Sequence, residues 1–122
     1  MDMKLELVPI PVTDVDRAKA FYVDQAGFVA DHDAAFDGGR YVQLTPPGSA
    51  CSICIGEGIT QVEPGSLDLL QVVVADIESA RDELVERGVD ASEVKDLAWG
   101  RFVYFQDPDG NGWAVQQLPD RP

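Results

Sequence analysis

The sequence predicts an α+β fold: two βαβββ modules forming a curved mixed sheet, with the helices on the convex face. Three observations carry this. A hairpin pattern at Arg40 to Ile55 (RYVQLTPPGSACSICI) recurs at Arg101 to Gln116 (RFVYFQDPDGNGWAVQ) without a gap, placing Arg40 on Arg101, Pro47 on Pro108 and Ile53 on Ala114. A helix start led by aspartate also recurs, Val12-Thr13-Asp14-Val15-Asp16 against Val74-Ala75-Asp76-Ile77-Glu78. The copies lie 62 residues apart at Asp14 and Asp76 and 61 apart at Arg40 and Arg101, the length of a whole supersecondary unit.

Leu5 to Val12 reads as the first strand, which Pro9 and Pro11 confine to a sheet edge. Asp14 then offers a helix cap, Val15, Ala18 and Tyr22 recur at helical spacing, and Gly27 supplies the stop. Phe28 to Asp31 reads as a short strand, with a turn at Asp37-Gly38-Gly39 leading into the first hairpin. Glu57 to Ser66, rich in glycine and proline, separates module one (about 4–58) from module two (about 66–119) within a single domain, 1–122.

In the second module Leu67 to Val74 is a strand, and Asp76 caps a helix whose buried stripe is Ile77, Ala80, Leu84 and Val85. Gly88 ends that helix, and Val89 to Val94 is extended. The last hairpin turns at Asp107-Pro108-Asp109-Gly110-Asn111, where Pro108 presets φ and the aspartates hold backbone donors. Asp120 to Pro122 is expected to fray.

Composition narrows the function. There are 22 acidic residues against 9 basic, a net charge of −13 and a pI of about 4.1. Such a surface repels a phosphate backbone and draws cations, so nucleic acid is excluded as a partner. No run approaches the ~20 apolar residues of a membrane helix, and Met1-Asp2-Met3-Lys4 lacks the pattern of a secretory leader. The expected location is cytoplasmic, away from membranes. Cys51 and Cys54 sit three apart in a strand, which points them to opposite faces and argues for inert thiols over a redox pair. No Ser-His-Asp pattern or phosphate loop is present, and neither Glu57 nor Asp107 is singled out as a catalytic acid or base.

The series Pro11-Val12-Thr13-Asp14-Val15-Asp16-Arg17-Ala18, Phe21-Tyr22, Gly27-Phe28, Val74 to Glu78 and Asp107 to Gly112 resembles the vicinal oxygen chelate superfamily. That superfamily includes glyoxalases, extradiol dioxygenases and bleomycin-resistance proteins. The resemblance implies paired modules, a homodimer with sites formed by both chains, and, in the enzymes, a divalent metal held by His, Gln or Glu. Those ligands come from the first and last strands of each module. Seven residues before the capping aspartates stand Leu7 and Leu69; three after Asn111 stands Ala114, and its repeat mate is Ile53. All four are apolar and offer no lone pair to a cation. The sole histidine, His32, falls away from this ring. No metal and no other cofactor are expected.

By strand parity, the face of Leu7, Ile53, Leu69 and Ala114 also carries Pro9, Ile55, Gln71 and Gln116, giving an oily hollow with two amides. Leu5 and Cys51 share it. Trp99 is expected to supply a flat wall, along with Phe36, Tyr104 and Phe105, and Arg101 and Arg40 to meet an anionic group. Trp113 and Val115 are expected to face the helices. The expected function is therefore metal-independent binding of a cationic or aromatic small molecule, an antibiotic among the candidates, by sequestration. The alternatives are a glyoxalase-like lyase or dioxygenase with displaced ligands or a metal-free acid/base mechanism, and a non-catalytic interaction module.

Overall fold

The computed structural model describes residues 1–119, so the expectation for Asp120 to Pro122 lies outside it. Module one runs β1 (Leu7–Pro9), α1 (Val15–Ala20) continued by a wider π-turn (Phe21–Gln25), β2 (Val29–Phe36), β3 (Gly39–Thr45) and β4 (Ser52–Gly56). Module two runs β5 (Leu70–Val73), α2 (Ile77–Glu86), β6 (Lys95–Leu97), β7 (Gly100–Gln106) and β8 (Gly112–Gln117). Each module is thus βαβββ and closes one four-stranded sheet, ordered β1-β4-β3-β2 and β5-β8-β7-β6. The first and last strands of each module pair in parallel and the others antiparallel.

The local signals explain most boundaries. Asp14 caps α1 by accepting from the Arg17 amide, and Asp76 caps α2 by accepting from the Glu78 and Ser79 amides. Gly27 and Gly88 follow the helices with φ of 81° and 91°, the left-handed conformation that ends them. Four boundaries differ from expectation. β1 shrinks to Leu7–Pro9, and β5 begins only at Leu70 because Leu69 takes φ 72°. β2 extends to Phe36 as an edge strand exposed along its whole length, so no inward alternation betrays it. The strand in the 89–97 stretch is Lys95–Leu97 rather than Val89–Val94. Val85 is 46% exposed, leaving the stripe of α2 to Ile77, Ala80 and Leu84.

One core joins the modules. Val42, Leu44, Ile53 and Ile55 from the first sheet, Ile10 just past β1, and Val103, Phe105, Trp113 and Val115 from the second sheet meet Val15, Ala18, Phe21, Tyr22 and Phe28. Trp113 and Val115 face the helices, as expected. Trp113 lies edge-on to Tyr22 and Phe28, with centroids 5.8 and 5.5 Å away. Polar bonds cross the same junction: Asn111 Nδ2 donates to the Pro11 carbonyl at 2.8 Å, and Thr13 Oγ1 donates to Asp109 at 2.7 Å.

Strand pairing corrects the gapless repeat. The β3–β4 connection, Pro46 to Cys51, holds one residue more than its counterpart, Asp107 to Asn111. The ladder across module one therefore reads Pro9–Cys54–Gln43, matching Gln71–Ala114–Tyr104 in module two. Cys54, not Ile53, is the counterpart of Ala114. A slip of one residue turns a strand over, so Ile53 and Ile55 pack in the helix-side core instead of lining the opposite face.

Candidate functional site

The sheet faces turned away from the helices follow from the ladders. Module two presents Gln71, Ala114 and Tyr104 in one row and Val73, Gln116 and Phe102 in the next. Module one presents Pro9, Cys54 and Gln43, with Leu7 beside Ser52. Phe102 and Tyr104 stack with centroids 6.0 Å apart and planes 4° from parallel. Gln71 Nε2 donates to Gln116 Oε1 at 2.5 Å, and Gln116 Nε2 donates to the Trp99 carbonyl at 2.9 Å. Burial pushes the Cys54 thiol above its ordinary pKa, with a hydrogen bond from Tyr41 partly opposing, which makes it a poor nucleophile. Burial likewise raises Tyr41, and neighbouring Cys54 adds to it.

With the ladder register, the four positions that the resemblance matches to the enzymes' metal ligands become Leu7, Leu69, Ala114 and Cys54. One thiol among three hydrocarbon side chains does not supply the three protein ligands of a catalytic zinc. Among the described residues, no group of three or more His, Cys, Asp or Glu is arranged to hold a metal ion. His32 sits on the exposed strand β2 as ladder partner of Gln43. These residues do not fit a metal of the family type.

Two hollows adjoin at Leu69. A cavity of about 350 Å³ opens at the seam between the modules, where Leu5, Val8 and Ile53 meet Leu69, Gln71 and Trp113. A wider cleft of about 650 Å³ lies on its other side, with Tyr104 as an aromatic wall and Asp68 and Asp90 as carboxylates. Leu69, the one described non-glycine residue with positive φ, borders both. Strain of this kind persists only where surrounding structure holds it.

The seam cavity brings together three of the expected ligand residues: Ile53, Leu69 and Gln71. Ala114 and Gln116 adjoin Gln71 on the ladder, whereas Leu7 and Pro9 lie on the other module's outward face, and Ile55 is in the core. Trp99 is 63% exposed on the β6–β7 turn, and its carbonyl accepts from Gln116 Nε2. Arg101 is committed elsewhere: it bonds Asp96 at 2.7 Å and Glu78 on α2 at 3.1 Å. Arg40 repeats the arrangement with Asp33 at 2.8 Å and Asp16 on α1. Both guanidiniums reach toward the helices, and Arg101, one residue before Phe102, is on the opposite strand face from the hollow's aromatics. Phe105 is buried there as well. Sequence reasoning missed Cys54, Gln43 and Asp90; only the unequal turn lengths could have revealed the first.

These features place the chain in a known class. The sequence model of the Glyoxalase/Bleomycin resistance protein/Dioxygenase superfamily matches residues 4–115, and the chain belongs to that superfamily. It is similar in structure to TnmS3, an antibiotic binding protein from Streptomyces sp. CB03234, with 34% identity, 97% of this chain and 98% of that one covered, and a TM-score of 0.88. A glyoxalase/bleomycin resistance protein from the same organism is 35% identical over 93% of this chain and 100% of its own, with a TM-score of 0.83. The uncharacterized protein YetH of Bacillus subtilis (strain 168) is 26% identical over 96% of this chain and 100% of its own length.

Proposed function

We propose that this protein is a metal-independent, cytoplasmic small-molecule binding protein that sequesters an antibiotic without transforming it. The observation that carries the reading is the mainly carbon-lined seam cavity beside Leu69, with no set of metal-donor side chains among the described residues. Similarity to an antibiotic binding protein along nearly the whole chain supports it. A cavity of about 350 Å³ lies within the range of small-molecule sites, and carboxylates Asp68 and Asp90 in the adjoining cleft favour a cationic group on the ligand.

The binding unit is a homodimer. β1 and β5 each stand at the margin of their sheet, and the apolar side chains beside them are uncovered: Leu5 is 71%, Leu69 56% and Val73 61% exposed. A second copy would bury this surface and bring one module's outward face against the other's.

The experiment is calorimetric titration of purified protein with bleomycin-like glycopeptides and planar aromatic antibiotics, paired with elemental analysis. The expected result is micromolar or tighter binding by at least one class, unaffected by chelator. Absence of binding below the millimolar range for every class overturns sequestration; a stoichiometric divalent metal overturns metal independence. Sedimentation showing a stable monomer at micromolar concentration overturns the dimer.

A further inference from the structure

Every polar side chain facing the seam cavity, with one exception, is already engaged within the chain. Ser49 Oγ donates to the Cys51 carbonyl at 2.7 Å and accepts from the Cys51 amide at 3.2 Å. The Cys51 thiol donates to the Ser52 carbonyl at 3.6 Å, and Ser52 Oγ shares a 2.6 Å hydrogen bond with Thr45 Oγ1. The exception is Gln71.

A relay fixes which way the Gln71 amide points. The Trp99 carbonyl only accepts, so Gln116 must present Nε2 to it, at 2.9 Å. Gln116 Oε1 is thereby turned toward Gln71, which must answer with its own Nε2, at 2.5 Å. Gln71 Oε1 is left over and accepts no hydrogen bond from any described residue. Gln71 is exposed, and the cavity it borders is lined mainly by carbon, from Leu5, Val8, Ile53, Leu69 and Trp113.

We infer that Gln71 Oε1 is the acceptor that orients the ligand, so that the seam cavity selects apolar molecules bearing an O–H or N–H donor. Gln116 is a positioning residue that acts through Gln71. The selection has a physical origin: a ligand acceptor placed here would oppose lone pair to lone pair and displace water from the exposed Gln71 amide without replacing its hydrogen bond. This inference rests on the small-molecule reading above but concerns only which chemistry the cavity prefers.

The test compares naphthol with methoxynaphthalene, matched in shape and differing by one donor, in fluorescence titrations. Wild type is expected to bind naphthol about three- to tenfold more tightly, the worth of one net hydrogen bond. Gln71→Leu, at an exposed position, should bring the two affinities together. Gln116→Met leaves Gln71 in place but frees its amide to turn, and should shrink the preference; a purely structural role for Gln116 would leave the ratio unmoved. Equal binding of both probes by wild type, or a ratio unchanged in Gln71→Leu, overturns the inference while sequestration stands. Binding of neither probe also overturns it, and the antibiotic titrations then decide the wider reading on their own.

Discussion

The Tyr22 hydroxyl donates to Asp107 Oδ2 at 2.7 Å and accepts from Trp113 Nε1 at 3.0 Å, tying the end of the first helix to the last hairpin of the other module. Asp107 Oδ1 meanwhile accepts the Asp109 and Asn111 amides, each at 2.9 Å. Burial, then the Asp107 charge, lifts the Tyr22 hydroxyl far above its ordinary pKa, so it remains a donor wherever the protein is folded. Tyr22→Phe strands the Trp113 donor and removes one of the hydrogen bonds to a buried carboxylate. Urea unfolding should show a loss of about 1–3 kcal/mol. An unchanged midpoint would mean the network is dispensable.

The register of β4 is testable by a pair of truncations. Ile53 is 5% exposed and packs in the shared core, so Ile53→Ala should lower stability by about 2–5 kcal/mol. Cys54→Ala removes only a sulfur from the opposite face and should have a much smaller effect in the same unfolding measurement. Reversal of that order would restore the gapless alignment of the repeats.

Leu69 takes φ 72° with its side chain largely in solvent. A left-handed conformation costs a leucine about 1–2 kcal/mol that glycine escapes. Leu69→Gly is therefore expected to raise the unfolding midpoint while weakening ligand binding, because it removes a side chain that borders both hollows. Destabilisation by this change would show that the leucine's contacts outweigh its backbone strain.

Asp33 is held well below the usual carboxylate range, chiefly by the paired hydrogen bonds from Arg40 and secondarily by Lys19. Its folded pKa is depressed, so its contribution is present above the unfolded value of about 3.9 and fades as pH falls toward the folded value. Asp33→Asn should be less stable than wild type at pH 7, and the gap should narrow below about pH 4. Melts at several pH values check this; a gap independent of pH would remove the ion pair from any stabilising role.

Much of the molecule was legible in the residues alone. The capping aspartates, Asp14 and Asp76, act on amides within their own first turn, and Gly27 and Gly88 stop helices by local backbone freedom. The repeated module and the inward course of Trp113 and Val115 follow from pattern and parity over short spans. Arg101 shows the first limit: its charge is plain in the sequence, but only packing reveals that Glu78 and Asp96 have claimed it.

Strand β4 shows the second. Ser52, Ile53, Cys54 and Ile55 are all buried, so no alternation along them marks an inside and an outside. Their orientation depends on which residues of β1 and β3 they pair with, and one additional residue between Pro46 and Cys51 shifts that pairing. Sequence by itself determined the two modules and their helices. Tertiary structure alone decided which side of the sheet Ile53 and Cys54 face, and that Gln71 stands with one free acceptor at the seam, because hydrogen bonds between distant segments set both.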